Sequence, residues 1–221
     1  MNILVVGASR GIGLELVKQS LAAGHRVAAT ARSATGLAML AGLGVKAMAL
    51  DVTEESSCAA FGAALGGEKF DEAWYVTGVL LGRLGPPNAP PQLDFDAVMH
   101  TNVLGAMRLL PLMATALMPG GKLATLSSHM GSIGQRSNNA AWLYRASKAA
   151  VNSVVKDMSL DLQGKAVCVA LHPGWVKTDM GGSGADLDVA RSVSDLRATV
   201  AALNHAHNGG FFNHDGQPLS W

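Results

Sequence analysis

The chain has 221 residues, of which 49% are hydrophobic and 15% charged, and its formal net charge is +1. That length suits one well-buried domain, read here as a single unit over residues 1–221. The even charge balance lacks the electrostatic footprint of a nucleic-acid binder, and no apolar stretch reaches the roughly 18 residues of a membrane span. Cys58 and Cys168 are the two cysteines and lie far apart, so they offer neither a disulfide framework nor a metal-ligand spacing. With a start that lacks the basic and apolar regions of a secretory signal, the expectation is a soluble, cytoplasmic protein without a metal site.

Short aliphatic runs alternate with helical patterns from end to end. Asn2–Val6 reads as a strand buried on both faces, followed by a helix over Ile12–Ala23 that stops at Gly24. A second strand is predicted over Arg26–Thr30, a short helix over Ala34–Ala41, a third strand over Lys46–Leu50 and a helix over Glu54–Leu65. Glu72–Thr77 makes the fourth strand. Phe95–Met118 makes a long helix, interrupted or bent at Pro111, which lacks an amide hydrogen. The fifth strand is Leu123–Ser127, the next long helix Ala141–Leu162, the sixth strand Ala166–Leu171, the final helix Val189–Leu203 and the last strand Gly210–Phe212. Such alternation implies an α/β fold with a mostly parallel, doubly wound, seven-stranded sheet covered by helices on both faces. The proline-rich segment from Gly85 to Pro91 reads as a stiff surface loop, not a boundary.

Gly7-Ala8-Ser9-Arg10-Gly11-Ile12-Gly13 lies between the first strand and the first helix. Glycines there permit a tight turn and close backbone approach, and a helix N-terminus offers free amides to a pyrophosphate, as in Rossmann-type dinucleotide sites. The spacing is Gly-x3-Gly-x-Gly, and a glycine turn alone is weak evidence. Arg10 lies within the loop, and Arg32 follows the second strand, where an NAD-preferring protein usually places an acid. Two guanidinium groups suit the 2′-phosphate of NADP, so NADPH is expected over NADH. Asp51 and Val52, at the end of the third strand, are candidates to meet the adenine; Asp51 is equally placed to start the following helix.

Tyr144 and Lys148 are four residues apart on a predicted helix and so share a face. A nearby ammonium stabilises tyrosinate, which should lower the phenol pKa toward neutral and make it a usable acid and base. Ser127 and Ser128 end the preceding strand, at the carboxyl edge where open α/β sheets bind ligands. Asn102 stands inside the long predicted helix although asparagine is a poor helix former.

The order Gly-x3-Gly-x-Gly, Asp51, Asn102, Ser128-x-x-Gly131, Tyr144-x-x-x-Lys148 and Pro173-Gly174 resembles the short-chain dehydrogenase/reductase family from Val6 to about Met180. His172-Pro173-Gly174-Trp175-Val176-Lys177-Thr178-Asp179-Met180 and the glycine- and aromatic-rich end are similar to its sniffer-like and C-factor-like carbonyl reductase branch. The resemblance implies an NADPH-dependent oxidoreductase reducing an aldehyde, ketone or quinone. Tyr144 would be the general acid, Lys148 would lower its pKa and bind the nicotinamide ribose, and Ser128 would orient the substrate oxygen. Asn102 would help hold a water-linked relay. Pro173, Gly174, Val176 and Thr178 would form the nicotinamide turn, with Gly78 beside it.

Residue physics alone does not separate Ser127 from Ser128. The family's Asn-Asn-Ala-Gly is replaced by Tyr75-Val76-Thr77-Gly78, which puts hydrogen bonding there in doubt. The short stretch Gly181–Asp188 leaves no room for a large lid, and His129, Met130, Trp142, Trp175 and Met180 are candidates either for the pocket or for ordinary packing. A homodimer or homotetramer is implied. The competing reading is a cofactor-binding signalling or redox-sensing protein with vestigial catalysis.

Overall fold

The computed structural model describes residues 1–82, 85, 86 and 88–221, so Pro87 of the proline-rich loop lies outside the described residues. Seven strands, β1 (Asn2–Val6), β2 (Arg26–Ala31), β3 (Lys46–Ala49), β4 (Phe70–Tyr75), β5 (Leu117–Leu126), β6 (Val167–His172) and β7 (Phe211–Asn213), form one sheet. Their order is β3-β2-β1-β4-β5-β6-β7, and every pair is parallel, the last included. The chain winds outward from β1 in both directions, so a crevice opens at the carboxyl ends of β1 and β4, where the winding reverses.

The helices are α1 (Gly11–Ala22), α2 (Ala34–Gly42), α3 (Glu55–Leu65), α4 (Gln92–Met99), α5 (Gly105–Thr115), α6 (Trp142–Asp161) and α7 (Val189–Ala202). Side chains of β1 alternate between faces: Leu4 and Val6 pack with α3, α5 and α6, while Ile3 and Val5 pack with α1, α2 and α7. A strand walled in on both sides must be aliphatic throughout, which is why Ile3–Val6 reads as a continuous run. Cys58 and Cys168 are buried thiols without a disulfide. Among the described residues no helix is long and apolar enough to cross a membrane.

The long helix expected over Phe95–Met118 divides differently. It starts earlier, as α4, and opens into a π-helical turn over His100–Leu104 before continuing as α5. Pro111 lies inside α5 and does not end it. Proline removes one amide bond, and at this solvent-exposed position that loss is tolerated. The break falls instead at the π-turn, where Asn102 is bonded to groups outside the helix. Leu117 and Met118 belong to β5, which runs ten residues and meets β4 through a register shift between Phe70 and Glu72.

Candidate active site

The glycine-rich loop is built so that backbone, not side chain, faces the crevice. Gly7 and Gly11 have φ of 92° and 51°, a region that L side chains rarely adopt. A Cβ at Gly13 would stand 2.1 Å from the Gly7 carbonyl oxygen, and one at Gly7 would stand 2.6 Å from Thr77 Oγ1. The Gly7 amide donates to Thr30 Oγ1 at 3.0 Å, which ties the turn to β2. No side chain caps α1, so its first-turn amides remain available to an anion. The loop opens into a cavity of about 540 Å³, which extends to Tyr144 and Lys148 and fits an extended dinucleotide with its diphosphate on the glycine turn.

Both candidate phosphate-binding arginines are exposed and carry a carboxylate partner. Arg32 Nη1 lies 3.8 Å from Asp51, and Arg10 Nη1 lies 3.2 Å from Asp179, across the cavity mouth. Burial raises the Asp51 carboxyl, but the Thr53 hydroxyl and amide bonds, with the Arg32 charge, outweigh it and hold the group below its ordinary value.

At the other end Tyr144 and Lys148 are buried. The Lys148 ammonium donates to the Leu126 carbonyl at 3.0 Å and lies 5.9 Å from the Tyr144 ring centre. Gly78 makes room for it, since a Cβ there would stand 3.2 Å from Nζ. Ser128 is the serine whose hydroxyl acts on the Tyr144 phenol, and its Oγ accepts from the Met130 amide at 3.1 Å. Ser127 is engaged elsewhere, donating to Asn152 Oδ1, so tertiary contacts separate the two serines. Asn102 is fully buried; its Oδ1 accepts from the Val79 amide at 2.7 Å, and its Nδ2 donates to the Val79 carbonyl and to Ser147 Oγ, both at 2.9 Å. Asn102 thus pins the segment after β4. It provides a fixed backbone there although the family's asparagines are absent from Tyr75–Gly78.

The expected lowering of the Tyr144 pKa does not occur in the chain by itself. Burial pushes the phenol up to about 12, only partly offset by the Ser128 hydrogen bond. Burial also brings the Lys148 ammonium down to about 8. Removing either group from water disfavours its charged form, and in both cases that effect is the largest.

Most of the expected residues share this one cavity. Gly7, Ser9, Arg10, Gly11, Ile12 and Gly13 line it from the glycine loop, Arg32, Asp51 and Val52 from the ends of β2 and β3, and Gly78, Tyr144, Lys148, Pro173 and Thr178 from the opposite end. Asn102, Ser128, Gly174 and Val176 do not line it, whereas Ser127 does. Gly174 is packed against Leu187 and His214, and Val176 is buried in a parallel bridge to Leu187. That bridge pins the short stretch after the turn. Of the aromatic and methionine candidates, Met180 is on the wall, while His129, Met130, Trp142 and Trp175 are not. Ser147, Val79 and the Leu126 carbonyl hold the Asn102 and Lys148 side chains. No sequence spacing announces them, because each partner comes from a different element.

The chain matches the family model "short chain dehydrogenase" over residues 1–186. It is 41% identical over 131 residues to the C-signal of Myxococcus xanthus, covering 58% of this chain and 79% of that protein. Its structure is similar to that of the carbonyl reductase Sniffer of D. melanogaster, with a TM-score of 0.88 and 30% identity, covering 100% of this chain and 99% of that one. The NADPH-bound carbonyl reductase from chicken fatty liver is similar to the same degree, with a TM-score of 0.88, 30% identity and coverage of 100% and 94%.

Proposed function

The chain belongs to the short-chain dehydrogenase family and is an oxidoreductase, and from that premise we propose that it reduces an aldehyde, ketone or quinone with NADPH. The observation that carries this reading is the buried pair Tyr144 and Lys148, set at one end of a cavity whose other end is the glycine turn, with the Ser128 hydroxyl acting on the phenol. When bound, NADPH supplies a hydride to the carbonyl carbon. The chain manages the proton. Tyr144, neutral because its pKa stands at about 12, donates its phenolic proton to the carbonyl oxygen. Ser128, whose hydroxyl meets that phenol, orients the same oxygen. Lys148, cationic below about pH 8, stabilises the phenolate left behind. Asn102 holds the segment along which water returns a proton past Lys148. One hydride and one proton are added across the carbonyl, so charge and electrons balance.

The amides of Ser9, Gly11, Ile12 and Gly13 would serve as diphosphate donors, with Gly7 supplying the turn that presents them, and Arg10 and Arg32 would hold the 2′-phosphate. Asp51 and Val52 would flank the adenine, Gly78 and Lys148 the nicotinamide ribose, and Pro173 and Thr178 the nicotinamide; all six line the cavity. A preference for NADPH over NADH rests on the two arginines and on the similarity to an NADPH-bound reductase. A homodimer or homotetramer through the α4–α5 and α6 faces fits the exposed Leu93, Phe95 and Met107, and the mass in solution checks it.

The test is NADPH consumption with benzaldehyde, cyclohexanone and menadione. Tyr144→Phe should lower turnover at least about a hundredfold while the NADPH dissociation constant stays within about twofold. Undiminished turnover in that variant would overturn the assignment. The similarity to the C-signal favours a second reading, a cofactor-binding signalling protein. Tight NADPH binding by the wild type with no turnover of any of the three carbonyls would support it.

A further inference from the structure

Arg145 follows Tyr144 in α6, and its side chain is buried although no acidic side chain pairs with it among the described residues. The charge that bears on it is that of Arg136, which is repulsive. A buried guanidinium without a carboxylate needs a structural reason. Its bonds supply one. Nε donates to the Ala140 carbonyl at 2.8 Å and Nη2 to Asn138 Oδ1 at 2.6 Å, so the guanidinium grips the segment that leads into the helix. Asn138 Oδ1 also accepts from the Ala140 amide, which closes that segment on itself.

The gripped segment is strained. Ala141 has φ 53° and is the one non-glycine residue of positive φ among the described residues. It is the N-cap of α6, with no side-chain cap bond, and no acidic residue stands in the first turn. Tyr144 is the third residue of this helix, inside a first turn that lacks the usual stabilisers. Left-handed backbone disfavours alanine relative to glycine by about tenfold in population, so the turn would drift without an outside hold. Side chains on a helix lean toward its N-terminus, which is why a residue at position 145 reaches back to 138 and 140. On its other side the segment abuts Gly85, where an added Cβ would stand 2.5 Å from the Asn139 carbonyl oxygen.

We propose that Arg145 is a positioning residue for the reaction: its guanidinium clamps Asn138 and Ala140, holds Ala141 in its left-handed conformation, and so fixes the first turn of α6 that presents Tyr144 to the substrate. This rests on the role given to Tyr144 above. Arg145 itself touches no reacting atom; it acts through the backbone it holds.

The test combines Arg145→Met, Ala141→Gly and the double variant, assayed with NADPH and benzaldehyde, cyclohexanone or menadione. Arg145→Met should lower kcat on the order of tenfold, because a small misplacement of a catalytic group is enough for that. NADPH affinity should stay within about twofold, and amide exchange should quicken over residues 138–145. Adding Ala141→Gly should recover most of the lost rate, since glycine keeps the left-handed corner without the clamp. Wild-type kcat in Arg145→Met, unchanged amide exchange, or failure of Ala141→Gly to recover any rate would each overturn the proposal. The two readings fail separately. If Tyr144→Phe stays active, the proposed reaction falls; if Tyr144→Phe is dead while Arg145→Met is fully active, only the clamp falls. Should none of the three carbonyls be turned over by the wild type, amide exchange alone decides the clamp.

Discussion

The two ends of the cavity are built on opposite physical terms. At the phosphate end, backbone amides in a glycine turn stand beside arginines that are open to solvent. Arg10 and Asp179 have side-chain exposures of 75% and 81%, and Arg32 has 77%. At the other end Tyr144 and Lys148, with Asn102 and Ser128 behind the wall, are all buried and engaged by neighbouring groups. Exposed ion pairs contribute about 0–1 kcal/mol, whereas leaving a buried polar group without its partner costs about 1–3 kcal/mol. Under the roles proposed above, cofactor choice should be separable from the fold, while chemistry and stability should be tied together at the buried end.

The sharpest way to break that contrast is the Tyr144→Phe variant. There the hundredfold loss belongs to chemistry and cofactor affinity should survive. Next in size, Asn102→Leu strips the Val79 amide and carbonyl and Ser147 of their partner. It should destabilise the chain by on the order of 3 kcal/mol and lower Tm by about 10 °C. A calorimetric melt within about 2 °C of wild type would show that the buried end is not the more costly one to disturb.

At the exposed end, Arg32→Gln should weaken NADPH binding about tenfold, leave NADH binding unchanged and leave Tm where it was. Equal weakening of both cofactors in a titration would remove Arg32 from 2′-phosphate recognition.

The smallest effect is on stability as pH changes. Lys148 titrates at about 8 in the folded chain against 10.5 for an unperturbed lysine, so above about pH 8 the folded state binds fewer protons than the unfolded one. Stability should rise by roughly 1 kcal/mol between about pH 7 and 9, and it is lost again as pH falls through about 8. Tyr144 is raised to about 12, so its contribution stays fully present below 10 and is lost only as pH rises through 12. Urea midpoints across this range, with Lys148→Met as the flat control, measure the slope. Reduction itself should decline above about pH 8, as the ammonium that supports the phenolate is lost.

What could be read from the chain alone was whatever is carried by neighbours in sequence. The aliphatic run of β1, the glycines of the phosphate turn and the four-residue spacing of Tyr144 and Lys148 are local, and each appears in the structure at or within a residue or two of its predicted place. The sequence points to Pro111 for the break in the long helix, because proline is a visible local signal, whereas the π-turn that forms instead depends on what Asn102 binds across space. Tertiary contacts alone set the strand order, separated Ser128 from Ser127, raised the Tyr144 pKa where its spacing from Lys148 had suggested lowering, and withdrew Val176 from the cavity. The physical reason is common to all four. Burial and hydrogen-bond partnership are set by residues tens of positions away, and a side chain's environment, more than its sequence neighbours, determines which of its charge states and partners survive.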